Sequence, residues 1–564
     1  MSYEDLQPKR PLEVALSFSG GGFRAATYSL GCLSYMDRIH LGEQKLTDLV
    51  SFISSASGGT ITNLTYVVSR RNSVSFATYF QDLFSKINSQ SLADRVFEVL
   101  ADDDAWKNRP AKSRNLINSF AMVYDELLFN GATFSVINSE NGSPAAICAN
   151  ATEFDNGMLF RFQNEGVFGN KFLHARNDAM STIGLIKLGD VLAASSCFPV
   201  GFEPLMYPKD FAYGTELTTQ ALERSLVQDS RFSPAKKESE DEKPISFGLM
   251  DGGIDDNQGI DSFIRAEDRL QNKNGFGYDL YISCDVSSNY TSGYDFPQEK
   301  DKGFFRHVSV MQVVLLIVLI FGIALAGVLI PVWQHFSFML LGMSGLALIV
   351  VLFAAFSLLS IKKKGELKHD TFISLLFQKG RMFLQLRLSA LIQMLIARGS
   401  SAGYLASTVF LKKIRRISYD RLFEKVSFIE KRNVTLLKHW NEFALQNAIY
   451  LLTPKNDAQR ITDLKNEPWF VSLPDMAALM ETSSVLQDVA RLAAEMDTTL
   501  WFDKVHLADK RPASLVATGQ FTTCYNLLRY ALRFDAADPY WKTVQADLIA
   551  DWKKFKEAPY WMVP

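Results

Sequence analysis

Cysteine, histidine and excess positive charge are all scarce in this 564-residue chain. The five cysteines are odd in number and scattered, so the sequence indicates no disulfide framework and no metal-ligand spacing. A formal net charge of −2 provides no basic field for nucleic acid. No apolar run follows the first charges of the N-terminal segment, so we expect no secretory signal. We therefore expect a reducing cytoplasmic setting, no metal, no cofactor and no nucleic-acid partner.

Lysine, arginine, aspartate and glutamate are absent from residues 308–361. This stretch contains two apolar runs, residues 308–332 and 336–359. At about 1.5 Å per residue, each run can cross a hydrocarbon core of roughly 30 Å. The break between them leaves room only for a tight return, so the sequence predicts a transmembrane hairpin. The alternative is a pair of buried core helices, although such helices usually keep a polar face.

Basic residues flank the predicted hairpin, whereas the turn between its two runs has none. They lie at positions 300, 302 and 306 on one side and at 362–364 and 368 on the other. By the positive-inside tendency, both flanks face the cytoplasm. We therefore expect an integral membrane protein with two spans and a catalytic domain on the cytoplasmic side.

A glycine turn near the N-terminus follows a short apolar strand. The strand is predicted over residues 14–18, the turn has the sequence SGGGFR at positions 19–24, and residues 25–36 are typical of a helix. A strand, a glycine turn and a helix N-terminus together form a pocket of backbone N–H groups. Such a pocket can hold a phosphate or the oxyanion of an acyl-transfer intermediate. Glycine turns without any such role are also common.

A second strand, turn and helix follow, with the turn sequence SASGG at positions 55–59. This turn is close to the Gly-x-Ser-x-Gly nucleophile elbow, in which small neighbours let the backbone bend and expose a serine hydroxyl. Ser57 occupies the nucleophile position, and Ser55 replaces the first glycine. Ser54 and Ser55 are the alternative serines, but neither has glycine on both required sides.

A nucleophilic serine requires a base, and none of the seven histidines stands in a turn of small residues after a strand. His506 is the best histidine by chain order, but its surroundings are typical of a surface segment. Asp251 is the better candidate, because an apolar strand over residues 245–250 ends there and two glycines follow. The alternative role for Asp251 is a capping or turn aspartate.

These motifs, taken in order, resemble the patatin-like phospholipase family. The three motifs on which the resemblance rests are GGGFR at 20–24, SASGG at 55–59 and DGG at 251–253. The Ala/Ser-rich segment at 192–199, the sequence DGGIDDNQG at 251–259 and the strand at 278–285 strengthen the resemblance. It covers about residues 14–286 and returns more faintly around 469–532.

The resemblance implies a Ser-Asp dyad, with Ser57 as the nucleophile and Asp251 as the base. It further implies that the N–H groups of Gly20, Gly21 and Gly22 form the oxyanion hole. Each donor in such a hole contributes about 3 kcal/mol in comparable hydrolases.

Arg24 matches the family's basic position after the glycines. It would either anchor the turn or meet a substrate phosphate. Two residues depart from the family pattern: Ser19 stands where an acidic residue is frequent, and Ser55 stands where glycine is usual.

The predicted fold class is α/β, a patatin-like three-layer sandwich with a central sheet flanked by helices and interrupted by a two-helix transmembrane hairpin. We expect residues 1–305 to form the first part of the catalytic core and residues 306–361 to form the hairpin. Residues 362–564 are predicted to be a helical region that completes the catalytic domain.

The expected function is that of a membrane-anchored serine acyl hydrolase that releases fatty acids from membrane (phospho)lipids. A lipid acyltransferase or a neutral-lipid lipase on the same site is one alternative, and a catalytically inactive membrane scaffold is another. The expected partners are membrane lipids as substrate and the bilayer through residues 308–361, and a homo-oligomer is left open.

Overall fold

The chain forms two compact units in this computed structural model. The first comprises Met1–Thr291 and Thr408–Pro564, and the second comprises Ser292–Ser407. The structure describes residues 12–89, 91–107, 109–138, 144–199, 201–228, 245–287, 308–359, 384–405, 409–410, 412–419, 444–497, 499–535 and 537–564.

Twelve strands are formed by the described residues, all of them in the first unit. They are β1 (Val14–Phe18), β2 (His40–Leu41), β3 (Gln44–Lys45), β4 (Val50–Ala56), β5 (Ala146–Glu153), β6 (Met158–Gln163), β7 (Leu173–Ala175), β8 (Leu205–Tyr207), β9 (Leu226–Gln228), β10 (Phe247–Asp251), β11 (Leu280–Asp285) and β12 (Ala444–Ala448).

The central sheet has eight of these strands in the order β12-β11-β1-β4-β5-β10-β8, with β6 also paired to β5. The run from β12 to β5 is parallel, and the remaining pairings are antiparallel. All five residues of β1 are buried, as expected for a parallel strand covered on both faces. The carboxyl ends of β1, β4 and β11 therefore lie along one edge of the sheet.

Helices cover this sheet and also build the second unit. They are α1 (Gly22–Arg38), α2 (Gly58–Arg71), α3 (Phe76–Asn88), α4 (Ser91–Ala101), α5 (Asp103–Trp106), α6 (Leu116–Tyr124), α7 (Met180–Ile183), α8 (Leu188–Ser196), α9 (Thr219–Ser225), α10 (Gly253–Asp256), α11 (Ile260–Asn274), α12 (Val310–Gly327), α13 (Gln334–Leu359), α14 (Leu388–Tyr404), α15 (Asp457–Lys465), α16 (Pro474–Leu479), α17 (Ser484–Ala494), α18 (Lys504–Ala508), α19 (Arg511–Ala531) and α20 (Pro539–Glu557).

The C-terminal part of the first unit packs directly on the core built by the N-terminal part. Helix α19 lies against α1 so closely that a Cβ on Gly31 would meet the Val516 carbonyl oxygen at 2.3 Å. The same close approach is seen from α19, where a Cβ on Gly519 would meet the Tyr28 carbonyl oxygen of α1 at 2.4 Å. Strand β12 adds the edge of the sheet, and Arg415 forms a buried ion pair with Asp285 at the end of β11.

A buried ion pair also fixes the N-terminal end of α8. The Lys112 ammonium donates to Asp190 Oδ1 at 2.7 Å and to Asn118 Oδ1 at 3.1 Å. The side chains of Lys112 and Asp190 are fully removed from solvent. The pair therefore joins the segment before α6 to the helix that ends beside the candidate site.

The second unit contains the two apolar helices. Ser309 caps α12 through a capping box with Gln312, and the 3-10 turn Pro331–Trp333 leads into α13. The two helices approach closely at Gly327, where a Cβ would meet Ser337 Oγ at 2.3 Å. Many apolar side chains of this pair, such as Leu319, are more than half exposed. Val310–Gly327 and Pro331–Val351 are long and apolar enough to cross a membrane.

The predicted α/β class, with a central sheet flanked by helices, is confirmed, and the two apolar helices fit an inserted hairpin. The second unit continues beyond the two apolar helices to residue 407. Helix α14 belongs to the second unit, because Val310 N–H donates to the Leu386 carbonyl and Leu388 N–H donates to the Val308 carbonyl. The first unit resumes at residue 408. The basic flanks that predict the orientation lie outside the described residues.

Candidate active site

Ser57 lies at the turn between β4 and α2 in an unusual backbone conformation. Its φ of 50° and ψ of −126° are strained for a residue with a side chain. The glycines after it permit this turn to approach the glycine turn. A Cβ on Gly58 would meet the Gly22 carbonyl oxygen at 1.9 Å, and a Cβ on Gly59 would meet the Phe18 carbonyl oxygen at 2.5 Å. This is the geometry expected of a nucleophile elbow.

The end of α8 aligns Ser57 with Asp251. The Ser57 N–H donates to the Ser195 carbonyl at 3.1 Å, and the Gly252 N–H donates to the same carbonyl at 3.1 Å. The Asp251 N–H donates to the Cys197 carbonyl at 3.0 Å. One short segment therefore fixes the backbone on both sides of the site, and the Ser57 hydroxyl lies close enough to the Asp251 carboxyl to affect the pKa of that carboxyl.

Burial raises the pKa of the Asp251 carboxyl from 3.8 to about 6. The neighbouring Ser57 hydroxyl and the Gly253 N–H, which donates to Asp251 Oδ1 at 2.7 Å, oppose this rise because they favour the ionised form. The carboxyl is therefore mostly ionised near neutral pH and still basic enough to accept a proton.

The glycine turn presents fewer N–H groups than the three expected from the resemblance. The Gly20 N–H donates to the Asn257 carbonyl at 2.9 Å, so it is already engaged. Among the described residues, none accepts a hydrogen bond from the N–H of Gly21 or Gly22. The N–H of Gly58, which directly follows the elbow serine, likewise has no acceptor in this part of the chain. A nucleophile elbow commonly uses the N–H after its serine, so Gly58 is a candidate oxyanion donor that the sequence analysis missed.

Arg24 is buried, and its guanidinium donates hydrogen bonds to backbone carbonyls. Its guanidinium donates to the Val286 carbonyl at 2.9 Å and to the Met496 carbonyl. Burial lowers the pKa of Arg24 to about 10, which the charges of Asp285 and Asp497 partly oppose. Of the two roles left open for Arg24, these contacts favour the anchor of the glycine turn over a substrate phosphate.

The two departures from the family pattern are each accommodated by hydrogen bonds. Ser19 Oγ accepts from the Val286 N–H at 3.0 Å and so holds the start of the glycine turn. Ser55 Oγ accepts from Asn63 Nδ2 at 2.9 Å and lies 3.0 Å from Thr60 Oγ1. Each replacement therefore has a hydrogen-bond partner for its side-chain oxygen.

The alternative residues are occupied elsewhere. His506 Nδ1 accepts from the Asp503 N–H at 3.2 Å as part of the capping box of α18. Ser54 Oγ donates to the Gly259 carbonyl at 2.7 Å. Asp256 is a further buried carboxyl close to Asp251 in the chain; burial raises its pKa to about 7, and it accepts from the first N–H groups of α11. Within the described ranges, no cluster of three or more His, Cys, Asp or Glu could hold a metal ion.

A segment far along the chain completes the glycine turn. We call residues 499–502 the C-terminal strap. Gly22 pairs with Thr499 in a parallel bridge, and the Phe23 N–H donates to the Thr499 carbonyl at 2.8 Å. The ring of Phe502 packs edge-on against Phe23 at 6.0 Å. No sequence motif pointed to this strap, because its contact with the turn is a backbone pairing over more than 470 residues.

Comparison with known proteins agrees with the motifs. A family model described as patatin-like phospholipase matches residues 16–264. Among solved structures, human GIVD cytosolic phospholipase A2 is similar at 15% identity and a TM-score of 0.33 over 51% of this chain and 44% of that chain. VipD from Legionella pneumophila is similar at 13% identity and a TM-score of 0.22 over 98% of this chain and 92% of that chain. No curated protein sequence matches the chain.

Proposed function

We propose that this chain, which belongs to the patatin-like phospholipase family through residues 16–264, is a serine acyl hydrolase that releases fatty acids from membrane lipids. The observation that carries the proposal is that the strained Ser57 and the buried Asp251 meet at one backbone anchor, because the N–H groups of Ser57 and Gly252 both donate to the Ser195 carbonyl. We assign Ser57 as the nucleophile and Asp251 as the base.

The reaction proceeds in two steps. Asp251 accepts the Ser57 proton while the serine oxygen attacks the carbonyl carbon of a lipid ester. The N–H groups of Gly21, Gly22 and Gly58 stabilise the oxyanion, and a lysolipid or another alcohol leaves with the proton held by Asp251. Water then attacks the acyl-enzyme, with Asp251 again as the base, and the fatty acid leaves as the Ser57 hydroxyl is restored.

We further propose that α12 and α13 cross a bilayer as a hairpin, with the first unit on the cytoplasmic side. The support is their length, their lack of charged residues and the exposure of their apolar side chains. Membrane attachment would hold the hydrolase next to its substrate, so recruitment to the lipid surface need not be a separate step. A variant that lacks residues 308–361 should no longer remain with membranes after carbonate extraction, and persistent membrane association would contradict this assignment.

Lipid products of the full-length protein in phospholipid vesicles test the dyad. Ser57→Ala and Asp251→Asn should each abolish fatty-acid release, as measured by mass spectrometry, without changing membrane association. Matched controls are Ser51→Ala on β4, the strand that precedes Ser57, and Asp547→Asn on the exposed face of α20, which should leave release unchanged. Release that persists in either dyad variant would refute the assignment, and newly acylated lipid in place of fatty acid would indicate an acyltransferase.

A further inference from the structure

Three aromatic side chains form a cluster on segments that contact the candidate site through their backbone. The rings of Phe120 and Trp501 are stacked at 6.4 Å with an interplanar angle of 17°. Phe202 meets Phe120 edge-on at 5.3 Å. Phe120 is buried, whereas Phe202 and Trp501 are half-buried. The cluster therefore presents an apolar surface with two partly accessible rings.

The C-terminal strap fixes one side of this cluster to the glycine turn. Trp501 follows two residues after Thr499, which pairs with Gly22. The Thr499 hydroxyl donates to the Trp501 carbonyl at 2.5 Å, which tightens the strap between the two residues. Because two residues span at most about 7 Å, the Trp501 backbone lies close to the glycine turn.

The segment after α8 fixes the other side of the cluster to the dyad. The Phe202 N–H donates to the Phe198 carbonyl at 3.0 Å, and Phe198 directly follows Cys197. The Cys197 carbonyl accepts from the Asp251 N–H. The three rings thus bridge the two backbone segments that border Ser57, one from the oxyanion side and one from the base side.

We propose that Trp501, together with Phe120 and Phe202, forms the wall against which the acyl chain lies while Ser57 attacks its ester. Trp501 is then a specificity-determining residue that favours long acyl chains, since each methylene that packs on the rings is removed from water. This inference rests on the proposed hydrolase function and narrows its substrate class to esters of long-chain fatty acids. It also assigns substrate binding to a residue outside the family-matched region.

The test compares p-nitrophenyl palmitate with p-nitrophenyl butyrate in mixed micelles, using the full-length protein. The ratio of the two kcat/KM values should fall about tenfold in Trp501→Ala, the effect of about two methylenes losing their apolar contact. Trp501→Phe keeps an aromatic ring and should recover most of the ratio. Trp541→Ala is the matched control, because it removes a tryptophan of α20 that stacks on Phe534. This variant should keep the wild-type ratio.

An unchanged ratio in Trp501→Ala, or an equal fall in the control, would overturn the inference. So would an equal loss on both esters in both Trp501 variants, because that result would mean that the strap only supports the glycine turn. A wild-type protein that hydrolyses neither ester would instead overturn the proposed function, and this inference with it.

Discussion

Asp251→Asn should make the folded protein more stable near neutral pH while it removes the proposed base. The carboxyl is ionised at that pH in a buried position that favours its neutral form. An amide is neutral at every pH and keeps the local hydrogen bonds. Its oxygen can accept from the Gly253 N–H, and its NH₂ group can donate to the Ser57 hydroxyl.

The size of this effect follows from the pKa of Asp251, which is about 6 in the folded chain against an ordinary value of 3.8. Between these values the folded chain binds more protons at this carboxyl than the unfolded chain, so the free energy of unfolding falls as pH rises. The two pKa values differ by about two, which corresponds to about 3 kcal/mol in the free energy of unfolding. This contribution to stability is present at low pH and is fully lost above pH 6. Below pH 3.8 the carboxyl is neutral in both states and costs nothing.

Thermal unfolding of the two proteins in detergent at pH 4, 6 and 8 measures the effect. Asp251→Asn should unfold several degrees above the wild type at pH 8, and the gap should nearly close at pH 4. Asp547→Asn, at an exposed position, should follow the wild type throughout. A variant less stable than the wild type at pH 8, or one with a pH-independent gain, would refute the reasoning.

Three further predictions concern the site and its supports. The rate at which a small fluorophosphonate labels the enzyme should fall about tenfold per pH unit below 6 and level off above 7, because the proposed base Asp251 must be ionised to accept a proton. A labelling rate that does not change with pH would contradict this. Arg24→Met leaves two backbone carbonyls without their donor, so kcat for a soluble ester should fall about tenfold or more, with little change in KM. An unchanged kcat would remove the anchor role. Lys112→Met leaves the Asp190 carboxylate buried and unpaired and should lower stability by about 3–5 kcal/mol, whereas Lys112→Met with Asp190→Leu should recover much of this loss in the same unfolding assay.

Segments with strong local patterns were predicted well. The strand expected over residues 14–18 is β1, Val14–Phe18, and the strand expected over 245–250 is β10, Phe247–Asp251. Each is a short apolar run that ends at glycines, so composition and turn signals agree. The apolar runs 308–332 and 336–359 likewise became α12 and α13, although α12 ends at Gly327.

Contacts between distant segments were not predictable in the same way. Strand β12 has the sequence ALQNA, whose two polar residues in five give no strand pattern, and its place in the sheet is a parallel pairing with β11. The strap is irregular in sequence and pairs with Gly22 through its backbone. The Gly20 N–H is not available to an oxyanion, because it donates to the Asn257 carbonyl more than 230 residues away. No local pattern reports such pairings.

Strands β11 and β12 are neighbours in the sheet, yet the whole second unit lies between them in the chain. A ribosome therefore makes the apolar helices before it makes the edge strand and the strap. A nascent chain that has reached only the helices cannot yet hold its glycine turn in place. Under the proposed membrane anchoring, delivery to the membrane can begin at that point, before the edge strand and the C-terminal strap have been made.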